Sequence, residues 1–287
     1  MSINTVKQSL QFGINKLREA KIPSPRLDAE ILLGFVLGLN REKILISPDY
    51  KLSKNQYSRF ETLIKKRAKN YPIAYLIGKK EFYGIDFIVN ESVLVPRPET
   101  ELMVEEVIKY AKQSPRKIDG GYQILEIGTG SGCVALTLAK HLPKTKVTAV
   151  DISEKALGVA RRNRKALGLK NIGFKKSDLL SDVKTIPNII IANLPYLTKK
   201  ELGEASIVRE PKLALYGGKD GLAVYKRMLG QIKERLIDND YHLTIFLEIN
   251  PSQKSKLSKI IQEIFPKAEV EVKKDLARRD RLFIVKI

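Results

Sequence analysis

The sequence predicts an α/β protein in which a doubly wound, parallel-rich sheet follows a small N-terminal helical bundle and a β-hairpin. Three observations carry this expectation. From residue 122 onward, short apolar β-branched runs alternate with helical segments, the pattern of strands sharing one parallel sheet. The first 70 residues instead repeat apolar positions at helical spacing. Between the two lies EFYGIDFIVNESVLV, residues 81–95, rich in aromatic and β-branched residues.

In order along the chain, Val6, Leu10, Ile14 and Leu17 form one helical stripe, and Leu27, Ile31, Leu32 and Val36 form a second after the Pro23-Ser24-Pro25 break. Ser53 caps a third helix carrying Tyr57, Phe60, Leu63 and Ile64. Residues 81–95 read as a hairpin with turn signals at Gly84 and Asn90, which Pro96-Arg97-Pro98 ends. A helix is expected from Glu99 to Lys112, and a polar linker from Gln113 to Gly121. Then YQILEI, KVTAVDI, IGFKK, NIIIAN, HLTIFLEI, AEVEVKK and RLFIVKI are strands, with helices at 133–140, 154–167, near 220–237 and at 251–264. The expected division is a helical domain at 1–75, a hairpin-and-helix connection at 76–118 and a catalytic domain at 119–287.

Composition narrows the function. The chain has 287 residues, of which 43% are apolar and 29% charged, as in ordinary folded proteins. The longest apolar run, Ile31 to Leu39, is far short of the roughly 18 residues of a membrane span. The first twenty residues lack the apolar core of a secretory signal, so the expected location is the cytoplasm. A single cysteine, Cys133, and two separated histidines, His141 and His242, argue against a disulfide framework or a metal centre. The formal charge is +20, and residues 1–80 hold 16 Lys/Arg against 6 Asp/Glu. That excess suits proximity to RNA or a ribosome, and equally suits solvated helix faces.

The chemistry-bearing segments sit at strand ends. Glu126-Ile127-Gly128-Thr129-Gly130-Ser131-Gly132 joins a strand to a helix, where glycines let the backbone turn and approach a ligand. Its G-x-G-x-G spacing lacks the third glycine of a dinucleotide fingerprint. It resembles motif I of S-adenosylmethionine-dependent methyltransferases, which implies a Rossmann-like class I sheet and that cofactor. Asp151 ends the next strand, 19 residues after Gly132, where a carboxylate can accept both hydroxyls of a ribose. Asp178 and Leu179 follow the third strand, where the resemblance implies an acid against the adenine amino group and an apolar contact with the ring.

The fourth strand runs into Asn193-Leu194-Pro195-Tyr196, which resembles motif IV, (D/N)-P-P-(Y/F), of enzymes methylating planar nitrogens. An amide nitrogen is a poor nucleophile because its lone pair is delocalised. Two acceptors, the Asn193 side-chain oxygen and the Leu194 carbonyl, can hold its two N–H groups and orient it toward a methyl donor. Pro195 fixes φ, and Tyr196 offers a stacking face.

Further segments sharpen the resemblance. Ala74-Tyr75-Leu76-Ile77-Gly78, Glu81-Phe82-Tyr83-Gly84 and Val93 to Glu101, ending in PRPETE, are similar to the signature of HemK-type (PrmC family) peptide chain release factor glutamine N5-methyltransferases. So are residues 151–163, the segment EP-x-x-AL-x-GG-x-DGL at 210–222, Leu247-Glu248-Ile249 and Leu27 to Leu33. The resemblance implies methyl transfer to the glutamine of a Gly-Gly-Gln motif in release factors, by a monomer without metal or membrane. Leu194 departs from the family's usual proline. Asn-Leu-Pro-Tyr is the form typical of ribosomal RNA adenine N6-dimethyltransferases, an alternative reading. A second alternative is methylation of a ribosomal protein glutamine, and a third is an RNA-binding module on the same fold.

Overall fold

The computed structural model describes residues 4–113, 122–236 and 242–287, so most of the expected linker at 113–121 lies outside the described residues. The chain forms two compact units. The smaller comprises residues up to Lys79 together with Glu204–Arg209, and the larger comprises Lys80–Gly203 and Glu210–Ile287. From Lys80 onward, the described part of the expected 76–118 connection lies in the larger unit.

In the smaller unit, α1 (Val6–Glu19) starts with a capping box in which Thr5 and Gln8 satisfy each other's backbone amides. Helix α2 (Pro25–Leu37) begins with proline at its first turn and ends at Gly38 in the left-handed region. Helix α3 (Arg41–Ile46), short and not anticipated from the sequence, is capped by Asn40. Helix α4 (Lys54–Arg67) has the expected Ser53 cap, reinforced by Gln56, and α5 (Ile73–Ile77) follows. Leu17, Leu32, Leu33, Ile44, Phe60 and Ile64 form the core. Leu27, expected on the buried stripe of α2, is exposed; Ala29 and Leu33 occupy the core side instead. Two acids of α2 are buried but paired: Asp28 with Arg67 at 2.6 Å, and Glu30 with Arg26 at 2.8 Å and Arg41 at 2.5 Å.

At the start of the larger unit, β1 (Lys79–Phe82, of which Lys79 is counted with the smaller unit) and β2 (Ile85–Ile88) form a hairpin shorter than the sequence suggests. It ends because Asn90 makes a turn, its Oδ1 accepting from Ser92 N–H at 2.9 Å and its carbonyl from Val93 N–H. Phe82 and Phe87 join Met103 and Val104 of α6 (Glu101–Gln113) in one core, which explains why hairpin and helix travel with the sheet. A 3₁₀ turn at Pro98–Thr100 leads into α6.

The alternating region then runs β3 (Gln123–Ile127), α7 (Cys133–His141), β4 (Lys146–Asp151), α8 (Glu154–Leu167), β5 (Ile172–Lys176), β6 (Ile189–Ala192), α9 (Ala223–Arg235), β7 (Thr244–Glu248), α10 (Lys254–Ile264), β8 (Glu269–Lys274) and β9 (Asp280–Lys286). The sheet order is β5-β4-β3-β6-β7-β9-β8. The first five strands in that order are parallel and the last two pairings antiparallel. The expected doubly wound, parallel-rich class is thus the observed one. Strands β6 and β7 are buried along their whole length, as a central parallel pair covered on both faces must be.

Register is what builds the site. Ile127 pairs with Val150 on one side and Ala192 on the other, and Ala192 pairs with Leu247. The next residue of each strand is therefore Gly128, Asp151, Asn193 and Glu248. Four segments far apart in sequence end in one row at the carboxyl edge, where the chain direction splits between β3 and β6.

Candidate active site

A cavity opens along this row, and Gly128, Gly130, Asp151, Asp178, Leu179, Asn193, Leu194 and Pro195 all line it. Sequence reasoning had singled out each of these. Gly128 adopts φ +76°, and a Cβ there would sit 3.0 Å from Leu194 Cδ2. Glycine is thus what allows the β3 turn to abut the tetrapeptide.

The other members of the glycine turn stand behind the cavity. Glu126 is buried, and its Oε2 accepts from the Thr129 hydroxyl and, at 3.2 Å, from Ala135 N–H. Burial pushes its pKa up to about 8 against those two hydrogen bonds. Thr129 and Ser131 are buried too, and Gly132 faces Leu136, Ala160 and Phe174. Glu126, Thr129, Ser131 and Gly132 shape the turn and do not border the cavity. Cys133 is buried, and its thiol is pushed up to about 12 by burial and the neighbouring Glu126, so it stays protonated. His141 packs edge-on against Tyr83 and stands outside the cavity lining.

Asp151 Oδ2 accepts from Gly130 N–H at 2.9 Å and its Oδ1 from Ser153 N–H at 2.8 Å. Ser153, not Asp151, caps α8. The carboxyl is thereby aimed along the cavity, with lone pairs left for hydroxyl donors. Burial raises its pKa, opposed by the amides of Ser153, Gly130 and Ile152. Beside it Ile152, which sequence reasoning missed, is exposed and lines the cavity. Asp178 pairs with Arg227 at 2.7 Å, and Leu179 is held at φ +55° with its carbonyl accepting from the Ser177 hydroxyl. A buried acid placed for a diol, flanked by apolar Ile152 and Leu179 and a glycine turn, fits S-adenosylmethionine.

The tetrapeptide is fixed on several sides. Asn193 Nδ2 donates to Thr100 Oγ1 at 3.2 Å. Leu194 N–H donates to the Tyr225 hydroxyl at 3.1 Å, and that hydroxyl donates to the Glu248 carbonyl. Leu194 itself is buried. Gly217 and Gly221 press on the backbone of Pro195 and Tyr196 so closely that a Cβ at either would overlap it. Gln253 donates to the Tyr196 carbonyl at 2.9 Å. Tyr196 lies outside the cavity lining, whereas Tyr216, missed from the sequence, borders it. Glu210, with its side chain fully buried, accepts from Val95 N–H at 2.9 Å and pairs with Arg97, joining the PRPETE and EP segments.

Comparison with known proteins agrees with this architecture. Residues 8–78 match the PrmC N-terminal domain and residues 102–242 the methyltransferase small domain. The release factor glutamine methyltransferase of Bacillus subtilis (strain 168) is 37% identical over 288 residues, covering 97% of this chain and 96% of that one. That of Moorella thermoacetica is 35% identical, covering 98% of each. The chain belongs to the release factor glutamine methyltransferase family. In fold alone, it also resembles the hMettl16 catalytic domain solved with the MAT2A 3′UTR hairpin 6, with a TM-score of 0.54 and 16% identity over 82% of this chain and 81% of that one.

Within this methyltransferase the hallmark segments acquire physical roles. PRPETE supplies Thr100 to Asn193 and Arg97 to Glu210. The GG-x-DG segment supplies the close approach to the tetrapeptide backbone. Among the described residues no helix is long and apolar enough to cross a membrane.

Proposed function

We propose that this methyltransferase transfers a methyl group from S-adenosylmethionine to the side-chain amide nitrogen of a glutamine in peptide chain release factors, within their Gly-Gly-Gln motif. Bound in the cavity, the cofactor supplies an electrophilic sulfonium methyl. The chain's own residues do the rest. Asp151 accepts the ribose hydroxyls, while Leu179 and Ile152 enclose the base and Asp178 faces its amino group. Asn193 Oδ1 and the Leu194 carbonyl accept the two N–H groups of the acceptor amide, turning its lone pair toward the methyl. Pro195 offers no competing donor. The nitrogen sheds one proton as the new N–C bond forms, so no strong base is required beforehand.

The helical unit, with its basic excess, recruits the factor, and the enzyme works as a monomer in the cytoplasm. The observation that carries this reading is the in-register placement of Asn193 and Asp151 on either side of Gly128 at the cavity. Its test is mass spectrometry of a purified release factor after incubation with labelled cofactor. The expected product is a singly methylated glutamine, and Asn193→Ala lowers turnover by on the order of 10²–10³, as for loss of one preorganised polar contact. Label found only in ribosomal RNA overturns the reading.

A further inference from the structure

We propose that Thr100 and Glu248 are positioning residues that fix which end of the Asn193 side chain faces the acceptor amide. The proposal rests on the role given to Asn193 above and adds what enforces it. The two ends of a carboxamide are almost identical in shape and opposite in hydrogen-bonding sense. Only Oδ1 can accept an N–H from the acceptor; a flipped Asn193 would present Nδ2 and repel it. Something must therefore set the polarity of this side chain.

The wall behind Asn193 does so. Its Nδ2 donates to Thr100 Oγ1 at 3.2 Å, and Thr100 is buried. Glu248 is Asn193's neighbour by register, because Ala192 pairs with Leu247 and each strand then advances one residue. Glu248 is only 2% exposed, and its Oε2 has no hydrogen-bond partner among the described residues. Burying a carboxyl group with an unfilled oxygen is costly and calls for a reason. Arg281, the cation that favours its charged form, is itself bonded to Asp275 at 3.2 Å.

The donors available to Glu248 identify that reason. Burial pushes the Glu248 carboxyl up to about 7, and the neighbouring Thr100 and Asn193 side chains oppose that rise, which places both beside it. A threonine hydroxyl that accepts from Asn193 still has one proton to give, and the Glu248 carboxyl is there to take it. With Glu248 ionised and taking the Thr100 proton, Thr100 Oγ1 turns only lone pairs toward Asn193, so the wall accepts from Nδ2 and offers no donor to Oδ1. With Nδ2 held behind, Oδ1 is left to the cavity that Asn193 lines. Both residues fall in segments, PRPETE and Leu247-Glu248-Ile249, whose chemical purpose the sequence left open.

The test uses the full chain with Thr100→Val, Thr100→Ser and Glu248→Gln. Valine keeps the shape of threonine, and glutamine keeps the size of glutamate while placing a donor in the wall. In the substrate-free protein, the Asn193 side-chain amide protons are followed by ¹⁵N NMR. Their solvent exchange is expected to quicken about tenfold in Thr100→Val and Glu248→Gln but not in Thr100→Ser. On a release factor, kcat is expected to fall about tenfold or more in the first two, the loss of roughly one hydrogen bond, at unchanged methyl-donor affinity. Thr100→Ser recovers kcat to within about threefold of wild type, which a merely structural role for Thr100 would not yield. Wild-type exchange and kcat in Thr100→Val and Glu248→Gln, with Asn193→Ala still slow, overturn the inference and leave the role of Asn193 standing. A normal Asn193→Ala removes that role itself, while the NMR arm still decides whether the wall orients the side chain.

Discussion

Asp151→Asn tests the cofactor half of the cavity most directly. The change replaces one carboxylate oxygen by NH₂ at nearly constant volume. In the native site both oxygens are committed, Oδ2 to Gly130 N–H at 2.9 Å and Oδ1 to Ser153 N–H at 2.8 Å. Whichever way the asparagine turns, one backbone donor faces another donor. Asp151 is only 9% exposed, so water compensates little. Losing a hydrogen bond to a buried charged acceptor costs about 1.5–3 kcal/mol. If Gly130 loses its anchor, the glycine turn loosens where the cofactor must seat, and the neutral amide also accepts hydroxyl protons less strongly. Affinity for S-adenosylmethionine is therefore expected to fall about 10–100-fold by isothermal titration calorimetry. A melting scan of the cofactor-free variant is expected to drop by a few degrees. Full affinity together with an unchanged melting temperature would refute the assignment of Asp151 as both turn anchor and diol acceptor.

Two further outcomes follow from the same geometry. Glu126 has a folded-state pKa raised from 4.5 to about 8, so the stability it contributes is complete below pH 4.5 and is lost as pH rises through 8. Across that window the wild type is expected to lose on the order of 4 kcal/mol relative to Glu126→Gln, and parallel denaturation curves for the two proteins at pH 5 and 8 would contradict it. Leu194→Pro, which restores the family's usual residue, is expected to destabilise this chain by about 2–4 kcal/mol in chemical denaturation, because the N–H to Tyr225 at 3.1 Å and the buried side chain against Gly128 both go. A fully stable Leu194→Pro protein would show that neighbouring groups close the gap.

Much of the fold was legible because its signals are local. The span of α8, Glu154–Leu167, coincides with its expected bounds, since Ser153 caps it and Gly168 ends it. The central strands β6 and β7 were equally plain, being short apolar runs buried along their whole length. What escaped depended on tertiary context. Helix α3 has only six residues and lacks a full periodic stripe. The hairpin was overextended because Val93 and Val95 look like strand residues. They are buried in an irregular segment whose backbone is satisfied in part by Glu210, far along the chain. Tyr216, which borders the cavity, was not legible at all. The zipper between Leu197 and residues 215–217 brings that tyrosine to the site. No feature of local sequence reports such a pairing.

The division of labour across the sheet follows from its topology. Strands β4 and β5 spread to one side of β3 and end in Asp151 and the Asp178–Leu179 turn, so the groups suited to the methyl donor occupy that half. Strands β6 and β7 spread to the other side and end in Asn193 and Glu248, so the groups suited to the acceptor amide and its support occupy the other. The two halves meet only where β3 and β6 lie side by side. There the contact is Gly128 against Leu194, with 3.0 Å available for a Cβ that glycine does not have. A side chain at Gly128 would press on the Leu194 side chain and strain the turn itself, which sits at φ +76°. The seam between the two halves is therefore set at a position that carries no functional group, where the turn's positive φ and the packing of Leu194 both favour glycine.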